Sequence, residues 1–153
     1  MALSCAGHPG PFGLALHFWK LGLPAGRIGR IGIDLCRTKP ATLYAFVDNH
    51  TPGAEPKPGE KDAYGRPLQR GVVGAEVYRS DDAGTSWRKV SPPGMDRFGG
   101  TYGWVFGQIR VDPNDPNTVY TMGLGLNVST DGGKTFKSLD TPGGDHHGLW
   151  IDP

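Results

Sequence analysis

From Gly29 onward the apolar residues of this chain come in short runs fenced by Gly, Pro, Asp and Ser. GRIGIDL (29–35), TLYAFV (42–47), AEVYRS (75–80) and SWRKVS (86–91) are each brief and rich in β-branched or aromatic residues. Runs of that kind, bounded by turn formers, predict β-strands. The order then returns in GQIRVD (107–112), TVYTMG (118–123), LNVST (126–130) and TFKSLD (135–140), and LWIDP (149–153) opens the set a third time. No segment keeps apolar residues at i, i+3, i+4 and i+7 over three turns, so no amphipathic helix is expected.

Two polar turns join the third and fourth strands of each set, SDDAGTSW at 80–87 and STDGGKTF at 129–136, 49 residues apart. Asp34, Asp112 and Asp152 end the equivalent first strands, the last two 40 residues apart. The first interval, 78 residues, is stretched by a Pro-rich polar insertion at 48–71 and a long loop at 94–106. Four antiparallel strands repeating every 40 to 50 residues is the arithmetic of a β-propeller blade. The expected fold is therefore all-β: a propeller fragment of about two four-stranded blades and the start of a third. Residues 1–20 read as an irregular segment ending in the remnant of a preceding blade, because FWKLG (18–22) matches SWRKV and TFKSL. The first blade then spans 21–92, the second 93–141, and 142–153 begins another. Propellers close with about 4 to 8 blades. The chain is thus expected to be a piece of a longer protein whose remaining blades are its partners, or to associate.

In the first turn Asp82 can accept hydrogen bonds from nearby backbone N–H groups, Gly84 can take positive φ, and Ser80 and Ser86 can tie the arms together. Trp87 then enters the next strand and packs. Ser129, Asp131, Gly133, Thr135 and Phe136 repeat the parts. The shared pattern, S-x-D-x-G-x-[ST]-[WF], resembles the Asp-box, or bacterial neuraminidase, repeat of sialidases, xyloglucanase-type glycoside hydrolases and sortilin-like propellers. Within that group the wording GRIGRIGIDL, TLYAFVDN, VYRSDDAGTSWRKV and GGDHHGLWIDP is most similar to bacterial proteins with a sortilin N-terminal-like domain. The resemblance implies structural boxes set away from the functional face, and a secreted or periplasmic location. It implies a fold more securely than an activity.

In an up-and-down blade the one-to-two and three-to-four turns share one end, and the remaining connections share the other. The insertion and the links at 23–27, 91–106 and 141–148 should therefore gather opposite the boxes, where scaffold-held loops collect binding residues. Asp145, His146 and His147 can hydrogen-bond a polar ligand or transfer protons. Arg97, Tyr102 and Trp104 beside Asp96 offer a stacking platform for a saccharide or a peptide side chain. Glycoside hydrolysis needs two carboxylates across the scissile bond, for which Asp96 and Asp145, with Glu60 or Asp62 of the insertion, are the candidates. A purely structural or assembly role stands as the third reading.

Composition narrows the rest. A formal charge of +1, with Lys and Arg scattered, argues against nucleic acid as partner. No run has the length of a membrane span. The first residues carry no Lys or Arg ahead of their apolar part, and Pro9 and Pro11 interrupt them, so no signal peptide is expected. Cys5 and Cys36 fit neither a disulfide framework nor a CxxC motif. The adjacent histidines lack further ligands at recognisable spacing, so neither metal nor cofactor is expected. GRIGRIG (26–32) lacks the phosphate-cradling glycine spacing.

Overall fold

The computed structural model describes residues 21–95, 107–141 and 143–153. Eight strands follow in chain order: β1 (Ile28–Cys36), β2 (Lys39–Pro52), β3 (Val72–Ser80), β4 (Arg88–Lys89), β5 (Gln108–Val111), β6 (Val119–Met122), β7 (Leu126–Ser129) and β8 (Lys137–Leu139). They form two four-stranded antiparallel sheets, each in simple sequence order. The described residues hold no α-helix, and so none long and apolar enough to cross a membrane.

Every expected run but the last contains a strand, with three differences of extent. Strand β2 runs on to Pro52, opposite Val72, so the insertion proper is the loop at 53–71. The outer strands β4 and β8 are shorter than SWRKVS and TFKSLD. An edge strand has a ladder on one side only, so its ends pair least. Residues 149–153, expected to open a third blade, carry no strand. Among the described residues nothing pairs with them, and a strand without a neighbour has no ladder.

Strand β2 is buried on both faces because it lies between two apolar clusters. Tyr44 and Phe46, with Ala75 and Val77 of β3, pack on Ile109, Val111 and Val119 of the second sheet, joined by Met95, Val90 and Phe136. The alternate residues Ala45 and Val47, with Tyr78, pack instead on Leu23, Ile28, Ile31 and Trp87. Period-two alternation in β2 thus serves two interfaces, since both faces of this strand are covered.

The first strands of the two sheets run side by side. The Val111 amide donates to Asp34 Oδ2 at 2.9 Å. A Cβ at Gly32 would stand 2.0 Å from the Gly107 carbonyl oxygen, so this close approach requires glycine. The matched aspartates nevertheless differ in role. Asp34 lies inside β1 and reaches the neighbouring sheet, whereas Asp112 follows β5 and holds its own turn by accepting from Asn114 N and Asp115 N at 2.8 and 3.0 Å.

Candidate functional site

The polar turns are built from hydroxyls and one carboxylate. Ser80 Oγ donates to Asp82 Oδ1 at 2.7 Å and accepts from Gly84 N at 2.9 Å. Asp82 also accepts from Ser86 N at 2.8 Å and Ser86 Oγ at 2.5 Å. The Trp87 indole donates to the Gly84 carbonyl at 3.1 Å, which fixes the ring's entry into β4. The second copy repeats this. Ser129 Oγ donates to Asp131 Oδ1 at 2.8 Å and accepts from Gly133 N at 2.8 Å, while Thr135 supplies N–H and hydroxyl to Asp131 at 2.9 and 2.6 Å.

Both carboxyls are held down to about 2. For Asp82 the cause is foremost the Ser86 hydroxyl and N–H. For Asp131 burial opposes ionisation, and the hydrogen bonds of Thr135 and Ser129 outweigh it. A carboxylate whose lone pairs are so occupied is a fastener, not a base or nucleophile.

Each turn is tied to its own sheet by a matching bond near the start of the second strand, Ala83 N to Ala41 O at 3.0 Å and Gly132 N to Asn117 O at 2.9 Å. Across the sheets, Tyr44 Oη donates to the Pro116 carbonyl at 2.8 Å, and Arg79 donates to Tyr44 Oη at 2.9 Å and to Asn117 Oδ1 at 2.8 Å. These bonds fasten the turn ends of the two sheets to each other.

Away from those turns, β2 and β3 of the first sheet carry different chemistry. Glu76 is almost fully buried, yet Asn49 and Tyr78 each donate to its Oε2 at 2.8 Å and Lys89 pairs with Oε1. Burial alone would raise the Glu76 pKa, but these partners bring it below the ordinary value. Burial first, and then the hydrogen bond and charge of Glu76, raise the Tyr78 phenol. Nearby, Asp48 is buried and its Oδ2 meets His50 Nε2 at 2.7 Å, while Oδ1 has no hydrogen-bond partner among the described residues. A Cβ at Gly29 would lie 2.4 Å from that Oδ2, so glycine there makes room for the pair. The imidazole is about one-third exposed, so a buried carboxylate presents a half-open polar ring at the loop end.

The nominated residues fare differently. Asp145 is exposed at φ +65°, a left-handed conformation that Asp tolerates better than most side chains. His146 is fixed by its amide on the Gly123 carbonyl at 2.8 Å and by Thr141 Oγ1 at 3.0 Å from Nε2, and the adjacent His147 is exposed. Asp96, Arg97, Tyr102 and Trp104 lie outside the described residues. Glu60 and Asp62 are spent on the insertion itself. Glu60 accepts from Lys57 N, and Asp62 accepts from Tyr64 N and Arg66 N and pairs with the Arg66 guanidinium at 2.7 Å. Among the described residues no three His, Cys, Asp or Glu side chains converge as a metal site.

Sequence reasoning missed Asp48, His50, Glu76 and Lys89. A signal was present: AEVYRS carries a glutamate within a buried apolar run, and TLYAFVDNH puts an aspartate just beyond one. A charge in such a place has to be paired.

No protein-family model matches the chain, and no curated protein matches it.

Proposed function

We propose that this chain is part of an Asp-box β-propeller of the sortilin-like kind, and that its loop end recognises a peptide or saccharide. What supports the scaffold is the equivalence of the two sheets: the same strand order, the same turn chemistry, and the same bond from each polar turn to its neighbour. What supports recognition is the chemistry opposite those turns. His50 held by buried Asp48, exposed Asp145 and His147, and anchored His146 offer donors and acceptors on a rigid base. A saccharide or a peptide backbone presents the matching hydroxyls, amides and carbonyls.

The test is titration of the full chain with a xyloglucan oligosaccharide and with a mixed-sequence peptide pool, repeated with His50→Ala, Asp145→Ala and Asp82→Ala. Affinity should fall in the first two variants and persist in the third, which alters the opposite end. Binding abolished by Asp82→Ala in a folded protein, or binding of neither probe, would remove this reading.

A further inference from the structure

At the turn end of the inner strands a cavity of about 130 Å³ opens between β1, β5 and the 149–151 segment. Asp34, Leu35 and Arg37 form one wall, Arg110, Val111 and Pro113 the second, and Leu149, Trp150 and Ile151 the third. Its volume is close to that of the engineered ~150 Å³ cavity that accepts benzene. Its chemistry is not that of a dry void, however. Arg37, Arg110 and Asp34 are among the residues that line it, and the Asp34 carboxylate is already engaged by the Val111 amide through Oδ2.

Among the described residues Arg110 spends Nη1 on the Ile109 carbonyl at 2.7 Å and reaches Gln108 Oε1 only at 3.5 Å, which leaves part of its fork for a ligand. Arg37 is exposed at the strand end. Beside them stand two large apolar side chains in water, Trp150 at 75% exposure and Leu35 at 40%. A guanidinium fork matches a planar carboxylate, and an exposed indole covers a ring or short apolar body.

The geometry points to a binding site for a single-ring or short-chain carboxylate, its charge on Arg37 and Arg110 and its apolar body against Trp150. One wall follows the Asp145–His147 loop directly in the chain, but no residue that lines the cavity belongs to the proposed recognition set, so the site does not rest on that reading. The carboxylate can belong to a free small acid or to the last residue of a peptide.

The test uses the full chain and follows the Trp150 indole N–H resonance by NMR. Benzoate and N-acetylphenylalanine are added, with benzamide and inorganic sulfate as controls. Benzoate should shift the resonance saturably at millimolar concentration, and benzamide, of the same shape without the charge, should bind about tenfold more weakly or not at all. Arg37→Gln should weaken benzoate about tenfold with an unchanged Tm, because Arg37 is exposed. Tighter binding of N-acetylphenylalanine assigns a peptide end; tighter binding of benzoate assigns a free acid. Equal binding of benzoate and benzamide, sulfate binding as well as benzoate, indifference to Arg37→Gln, or no saturable shift would each overturn the proposal.

Discussion

The two copies of the hydroxyl–aspartate turn have nearly the same internal bonds and very different neighbours. At the first, Gly84 has φ +88° and a Cβ there would meet only the Trp87 ring at 3.8 Å; at the second, Gly133 has φ +93° and its Cβ would stand 2.6 Å from Val90 Cγ2. The preceding position shows the same contrast. Ala83 occupies left-handed backbone at φ +57°, while its counterpart Gly132, at φ +76°, would put a Cβ 2.9 Å from Arg79 Nη1. Among the described residues, one turn closes a hairpin with little packed on its glycine, and the other closes a hairpin against the neighbouring sheet. Identical local chemistry is therefore under unequal packing constraint.

The largest effect should come from Gly133→Ala, which combines left-handed strain of about 1–2 kcal/mol with overpacking against Val90 of about 1–3 kcal/mol. Gly84→Ala carries the first penalty alone. Chemical denaturation of both variants checks the difference, and equal losses would mean that the contact between the sheets is looser than the structure shows.

Next is Ser129→Ala, which leaves the buried Gly133 amide without its acceptor and should cost about 1–3 kcal/mol. Tyr44→Phe, which deprives the Pro116 carbonyl of its donor, should cost about 1 kcal/mol or somewhat more. The Tyr44 loss should shrink when Arg79→Ala is already present, because the two side chains share one node.

Acid should loosen both turns. Their carboxyls sit near 2 in the folded protein, below the ordinary value of about 3.9, so the unfolded chain takes up protons first. The stabilisation is complete above about pH 4 and is lost as pH falls through about 2. The urea midpoint should drop over that window, and drop less in an Asp82→Asn, Asp131→Asn double variant.

The smallest expected change is Ala83→Gly. It relieves left-handed strain of about 1–2 kcal/mol but costs about 0.5–1 kcal/mol through the freer unfolded chain, so the two effects largely cancel. A Tm shift within a degree or two agrees with this; a large loss would show that the Ala83 methyl packs.

Strand order, the duplication and the bonding inside each turn were legible in the sequence, because they depend on residue type at short spacing: a hydroxyl, a carboxylate two positions on, a glycine two further. The unlike roles of Asp34 and Asp112 were not, since both end similar runs and only the approach of β1 to β5 gives one of them a partner amide. The pairing of Glu76 with Lys89 was also hidden. Those residues are 13 apart in the chain and become neighbours only when β3 and β4 align Tyr78 with Lys89. The cavity between Arg37, Arg110 and Trp150 draws on three distant segments in the same way. Local hydrogen bonding and alternation, which act over a few residues, fixed the strands and turns, whereas the burial of a charge and the shape of a cavity depend on which sheets meet.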